Sequence, residues 1–287
     1  GESSGCTVRQ FITGTATDLT IDTITYDPTE LVQNYLISGC LEAKNITFKG
    51  NTRQIGYFQG GSSTVGYDKG LVLSSGYAKD AEGPNSSASK SNVISTAGDA
   101  DISAITTPYP SYDAAVLEFD FKPSSDFVSF RYTFASEEYN EFVNSDYNDA
   151  FGFFLTSLGA SGPQYNKKNI ALIPGTSTPV AINKVNNGIP NFTNNCASGV
   201  NASNSIYFRD NACTPYKYNI ECDGLTTVLT ASASVRACEW YHIKLVVADV
   251  SDQILDSWVF LEANSFSSGS GVAMTIVNQT GTDISYE

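Results

Sequence analysis

The sequence has one histidine, one methionine and two tryptophans, and only 16% of its residues are charged. Basic side chains are scarce: 16 Lys and Arg stand against 30 Asp and Glu, a formal charge of -14 at neutral pH. A field of that sign repels phosphate backbones and anionic membrane surfaces, so no nucleic-acid partner is expected. The charged fraction is too low for an acidic tail, and the chain reads as folded. No run of about 18 apolar residues occurs, so no transmembrane segment is expected, and the amino end lacks the basic-then-apolar pattern of a signal peptide. The expectation is a mature product or an excised segment.

A lone histidine, His242, leaves no His-rich zinc site and makes any Ser-His-Asp triad depend on one residue, with no G-x-S-x-G elbow in view. Because His242 is out of phase with Ile243, Leu245 and Val247, it falls on the opposite sheet face beside Lys244, a structural position. Gly60-Gly61 and Gly83 follow no phosphate-loop pattern. The six cysteines, Cys6, Cys40, Cys196, Cys213, Cys222 and Cys238, lack paired CxxC spacing, so zinc and iron-sulfur sites are not expected. Their even number in a chain rich in Ser, Thr, Asn and Gly points to disulfides and an oxidising compartment. Pairing 6 with 40, 196 with 213 and 222 with 238 is one of several arrangements the spacing allows.

What is present is period-2 alternation. Ala115, Leu117, Phe119 and Phe121 share one strand face, with Glu118 and Asp120 on the other. After the turn signal Lys122-Pro123-Ser124-Ser125-Asp126, the residues Val128, Phe130, Tyr132 and Phe134 repeat the pattern, which predicts an antiparallel hairpin partner. Ile243, Leu245 and Val247, then Val259 and Leu261, continue it. Further strands are expected near 45–48, 55–58, 70–74, 150–156, 169–173, 226–233 and 272–277. One helix is expected after Asp27, which caps the free amides while Pro28 takes the first helical position and Glu30 closes a capping box. A helical turn is possible near 98–105. The expected fold class is all-β, a β-sandwich or jelly roll with one or two short helices, in one domain over 1–287.

The most informative stretch, FRYTFASEEYNEFVNSDYNDAFGFFL (130–155), is a strand, a loop dense in oxygen ligands and another strand. Glu137, Glu138, Glu141, Asp146 and Asp149 place five carboxylates in thirteen residues, with Asn140, Asn144 and Asn148 between them. Crowding of that kind is costly unless a cation offsets it. Calcium, which takes about six to eight hard oxygen ligands in flexible geometry, suits the set better than magnesium. The competing reading is a merely solvated loop. Acidic residues alternating with Asn and aromatics favour the cation, although no EF-hand spacing is present. Asp249, Asp252 and Asp256 lie between two strong strands, where they either complete the site or form a polar hairpin loop. Asp210 and Asn211 are a weaker candidate of the same kind. The expected metal ligands are therefore Glu137, Glu138, Glu141, Asp146, Asn148, Asp149, Asp252 and Asp256.

A glycosidase needs two carboxylates facing one another across a sugar. Glu137 and Glu138, adjacent in sequence, point to opposite faces if they continue the strand, which argues against that role. A binding module needs accessible aromatics, and Tyr57, Tyr67, Tyr77, Tyr109 and Tyr112 occur among Gly, Ser and Pro. Asn-x-Ser/Thr sequons stand at Asn45, Asn85, Asn191, Asn201 and Asn278, a number that composition alone explains.

The blocks LVQNYLISGC (31–40), NITFKGN and IGYF (45–58), GLVLSSG (70–76), the 130–155 stretch, NIALIPGTSTPVAINKVN (169–186), DGLTTVLTASASV (223–235) and YHIKLVVADVSDQILDSWVFLEANSF (241–266) together resemble the choice-of-anchor L domain family of bacterial secreted and surface proteins. The resemblance implies an extracellular β-rich module of large adhesin-like proteins, held by varied carboxy-terminal anchors or exported by type IX secretion. No enzymatic activity comes with it. The chain departs from that pattern after Phe266, where no sorting tail is recognisable, so a cleaved tail or an excised segment is expected. The functional expectation is a secreted or bacterial cell-surface module, calcium-stabilised and non-catalytic, that binds an extracellular glycan or protein ligand. The alternatives are a structural subunit that assembles with copies of itself into a fibre or layer, and a carbohydrate-active hydrolase.

Overall fold

The computed structural model describes residues 18–188 and 202–269. Among these are fourteen strands in two antiparallel sheets, numbered along the chain. One sheet runs in the order β1 (Thr20–Asp22), β3 (Ile55–Gln59), β4 (Lys69–Ser74), β13 (Ser257–Glu262), β6 (Phe127–Ser136), β10 (Gly224–Thr226) and β9 (Phe208–Asp210), with β11 (Leu229–Ser234) and β14 (Ser267–Ser268) also paired to β6. The other runs β2 (Glu42–Lys49), β5 (Ser111–Lys122), β12 (Tyr241–Val250), β7 (Ala150–Ser157) and β8 (Lys168–Asn169). The all-β sandwich expected from the alternation is the fold found. The strand expected over 169–173 is shorter, and the one at 272–277 lies outside the described residues.

The hairpin expected between 115–121 and 128–134 does not form. β5 pairs with β2 and β12, whereas β6 pairs with β10, β11, β13 and β14 in the other sheet. Residues 123–126 thus carry the chain across the sandwich instead of turning it back along one sheet. Both arrangements bury the same alternating face, so the period alone does not choose between them. The same crossing recurs from β6 to β7 and from β12 to β13.

The faces that meet are Leu117, Phe119 and Phe121 of β5, Phe130, Tyr132 and Phe134 of β6, Phe151 and Phe153 of β7, and Ile243, Leu245 and Val247 of β12. Rings interdigitate across the layer, Phe134 stacked on Phe151 at 4.7 Å and Tyr132 edge-on to Phe153 at 4.9 Å between centroids. Several strands are buried on both sides. Phe58, Val72, Trp258 and Phe260 form a second core on the outer face of the larger sheet, and Ala114, Val116, Phe154 and Val246 pack with Ile102 outside the smaller one.

The helix after Asp27 starts as the sequence dictates. The Asp27 carboxylate accepts from the Glu30 amide at 2.9 Å, the Glu30 carboxylate accepts from the Asp27 amide at 3.0 Å, and Pro28 opens α1 (Pro28–Glu30). It then widens into a π-helical turn over Leu31–Leu36, which buries Leu31, Val32 and Leu36. The turn expected near 98–105 is α2 (Ala100–Ile105), capped by Asp99.

The disulfide expectations fare differently. Cys40, Cys222 and Cys238 are free thiols, so the 6–40 and 222–238 bridges are not made, and Cys6 lies outside the described residues. Cys222 sits just before β10, whose Gly224 is opposite Ser136 at one end of β6, while the Cys238 amide donates to the Pro123 carbonyl beyond the other end. Ten extended residues span about 33 Å, against the roughly 6 Å between Cα atoms that a disulfide tolerates. Cys213 is disulfide-bonded, and Cys196 lies outside the described residues.

Substituting Phe153→Ala should cost about 3–5 kcal/mol through lost burial and the cavity left between the sheets. Asp27→Ala should cost about 1 kcal/mol, because only the cap is lost. Urea unfolding midpoints of the two variants measure both, and near-equal losses would contradict the assignment of Phe153 to the central core.

Candidate metal centre at the sandwich rim

The crossings β6 to β7 and β12 to β13 lie at the same end of the sandwich, because Ser257 at the start of β13 is paired with Ser136 at the end of β6, and Ala248 of β12 with Ala150 of β7. Ser111, at the start of β5, is paired with Val250 at that end too. Acidic residues flank these crossings. Glu137, Asp113, Asp149, Asp249 and Asp256 are 0% exposed, Glu138 and Asp223 1%, and Glu221 2%. None of them belongs to an ion pair among the described residues. Taking an unbalanced carboxylate out of water costs several kcal/mol, so such a rim needs donors, protons or a cation.

Donors supply part of the answer. Asp149 accepts from the Val250 amide at 3.0 Å and the Ser257 hydroxyl at 2.7 Å. One oxygen of Glu138 accepts from the Asp149 amide at 3.0 Å, closing the loop between them. Asp256 accepts from the Asn92 amide and side chain at 3.1 and 3.2 Å, and Asp113 from the amides of Thr96 and Ile94 at 2.6 and 3.0 Å. Gly76 makes room for this packing, since a Cβ there would stand 1.7 Å from Asp256 Oδ2. The donors then run out. Glu138 Oε1 and both oxygens of Asp249 are buried without a hydrogen-bond partner.

Burial pushes Glu138, Asp149 and Asp249 well above the usual carboxylate range, with Asp149 adding to the rise of both Glu138 and Asp249. Burial likewise raises Asp256 and Glu141 to about 7 and Asp223 to about 8. Among the described residues no group of three or more Asp, Glu, His or Cys side chains is arranged so that it could hold a metal ion. An ion here would therefore draw on carboxylates together with hydroxyl, amide, main-chain or water oxygens, as calcium does.

The sequence-expected ligands do not all meet. Glu138, Asp149 and Asp256 come together with Asp249, and Asp252, half-buried, acts on Glu138 and Asp149 from the edge while one of its oxygens accepts from the Ile254 amide. Glu137, just past the end of β6, is acted on by Asp223 and Glu221 and, less strongly, by Asp256, and Glu141 acts on Asp223 from the same side. Asp146 is exposed beside Tyr109, and the Asn148 carbonyl accepts from the Asn183 amide at 2.9 Å. Neither is brought to the buried group. Asp113, Glu221 and Asp223 were missed, since only folding brings them near a loop so distant in sequence. The Asp-Gly pair at 223–224 was the one local hint. His242 lies at the far end of β12 from Asp249, between Asp120 at 2.8 Å and Glu118 at 3.3 Å, which raise its pKa.

A second concavity is aromatic. Tyr26 packs edge-on to Tyr35 and Tyr57 at 4.8 and 5.5 Å between a cleft of about 590 Å³, edged by the exposed Ile24, and one of about 320 Å³ bearing Asp22, Gln59, Lys79 and Glu82. Of the tyrosines singled out earlier, Tyr57 belongs here, Tyr67 is buried with its hydroxyl donating to the Phe260 carbonyl at 2.8 Å, and Tyr77 stacks under Arg53. The sequon residue Asn85 is buried and donates to Asp223; Asn191, Asn201 and Asn278 lie outside the described residues.

The raised carboxylates set a pH dependence. Their folded pKa values exceed the unfolded value of about 4, so the cation-free fold holds protons that the unfolded chain has released. In chelator, stability should fall as pH rises from about 4 to about 8, the interval between unfolded carboxylates and Asp256, Glu141 and Asp223. Melting temperature against pH measures it, and a rise across that window would contradict the account.

The profile of the choice-of-anchor L domain matches residues 20–267, from β1 into β14. No curated protein and no solved structure matches the chain. Among the described residues no helix is long and apolar enough to cross a membrane. Covered over nearly its whole length by that match, the chain belongs to the choice-of-anchor L domain family, which is associated with secreted and cell-surface proteins.

Proposed function

We propose that the chain is a non-catalytic, calcium-stabilised module that works outside the cell as an adhesive surface, with a glycan or protein as ligand. The observation that carries the cation is Asp249: a carboxylate with no exposed surface and no well-formed hydrogen bond on either oxygen, with the Ser75 hydroxyl a neighbouring donor and Asp149 and Asp256 beside it. A divalent ion among them turns mutual repulsion into shared attraction and ties the ends of β6, β7, β12 and β13 together. The non-catalytic part is supported by the divergence of Glu137 and Glu138 and by the engagement of His242 with Asp120 and Glu118 away from the rim. The ligand-facing part is supported by the cleft around Tyr26, where rings sit beside carboxylate, amide and amine groups in the manner of sugar sites.

Calcium at about a hundred times its Kd should add about 2.7 kcal/mol to stability, read as a higher Tm than in chelator. Asp249→Asn should raise the Tm in chelator at neutral pH, because a neutral amide spares the fold the cost of holding a proton that the unfolded chain releases, and abolish most of the calcium gain. A wild-type Tm indifferent to calcium and chelator alike would refute the cation role. For the ligand, Tyr26→Ala should weaken binding to whichever members of a polysaccharide panel the wild type retains, while leaving the calcium response intact.

A further inference from the structure

Taking the concavity around Tyr26 as the ligand site, as above, we propose that its two clefts bind a linear polysaccharide of amine-bearing sugars. The chain passes over the Tyr26 ring, and its protonated amines lie beside the acidic side chains that line both clefts.

The platform is held in place before any ligand arrives. Tyr26 packs against Tyr35 of the π-helical turn and Tyr57 of β3, which themselves lie 4.6 Å apart between centroids. The chain on either side is tied down by its own side chains: Asp22 accepts from the amides of Ile24 and Thr25 at 2.8 and 2.9 Å, and Asp27 and Glu30 close the capping box. Such pre-ordering lowers the entropic cost of binding.

The shape calls for an extended ligand. Tyr26 lines both clefts, so a single sugar occupies one of them, whereas a chain of several units fills the 590 Å³ space, crosses the ring and enters the 320 Å³ space. The Tyr26 ring and the exposed Ile24 offer apolar surface to the C–H faces of sugar rings, while Thr20, Thr23, Thr25 and Gln59 offer polar partners to their hydroxyls.

The charge selects the class. Asp27 and Glu30 line the larger cleft and Asp22 and Glu82 the smaller, against Lys79 as the one basic side chain lining either. None of the four carboxylates belongs to an ion pair among the described residues. Unlike the carboxylates of the rim, Asp27 and Glu30 are exposed and Asp22 and Glu82 only half-buried, so a ligand can reach them. Each gives one oxygen to a main-chain amide, which fixes its direction and leaves the second oxygen to accept from an ammonium group. An acidic polysaccharide is repelled by the same groups and by the net charge of -14. A basic peptide would match the charge, and an extended one would add at the free edge of β1. That edge is closed, because the outward Ile21 amide already donates to Glu82 at 2.6 Å.

The test is calorimetric titration of the full chain at about pH 6, where exposed carboxylates and amines both carry charge. The probes are a chitosan hexamer, the chitin hexamer of equal length, whose amines are acetylated, and hexalysine. The chitosan hexamer should bind at least about tenfold more tightly than the chitin hexamer, and added salt should narrow the gap. Asp22→Asn combined with Asp27→Asn keeps the oxygens that accept from the turn and cap amides, so its Tm should stay close to that of the wild type. That double variant should bind the chitosan hexamer at least about tenfold more weakly and the chitin hexamer unchanged, whereas Tyr26→Ala should weaken both. Equal binding of the two hexamers, lost in Tyr26→Ala, overturns the amine class and leaves the cleft standing as a glycan site. Hexalysine bound more tightly than the chitosan hexamer overturns it in favour of a basic peptide. Binding of neither hexamer, or binding that Tyr26→Ala leaves untouched, overturns both the amine class and the assignment of the ligand site to this cleft.

Discussion

The fold depends on aromatic faces meeting across the sandwich, above all Phe130, Tyr132 and Phe134 of β6 against Phe151 and Phe153 of β7. Because these strands lie in different sheets, the chain between them must arch over the rim. The arch from Glu137 to Asp149 is thus anchored at both ends in the most tightly packed part of the molecule. A loop so held does not splay its charges into water. Burial of its carboxylates follows from where the rings sit.

That burial turns composition into chemistry. An acidic surface loop costs little, and its charges are screened. At this rim the same residue types are sealed under Ser75, Ser136 and Ser257 and beside Gly76, whose missing side chain leaves space for Asp256. Donors satisfy most of the oxygens, and the remainder fall on two sides of the Glu137–Glu138 step. The bend just past the end of β6 divides the adjacent Glu137 and Glu138 between the two groups.

Much of this was legible in the chain. The capping box at Asp27, the alternation in 115–121 and 128–134, and the outward position of His242 each have a local cause, and local causes survive folding. The hairpin between β5 and β6 was misjudged because an arch and a hairpin bury the same alternate residues. The 222–238 bridge failed for a related reason, since separation along the sequence carries no information about which end of β6 each cysteine occupies. Within the acidic stretch the fold brings Glu138 and Asp149 together, whereas Asp146 and Asn148, included on composition alone, lie apart.

The sequence by itself determined the all-β character, the helix start, the family and the presence of a carboxylate-rich loop, because each depends on residues close together along the chain. The tertiary structure alone decided that Asp113, Asp223, Asp249 and Asp256 join that loop, and that Glu137 and Glu138 serve different neighbours. Those facts rest on which strands share a sheet. Sheet partnership is fixed by the summed fit of faces across the whole core, which no local pattern encodes.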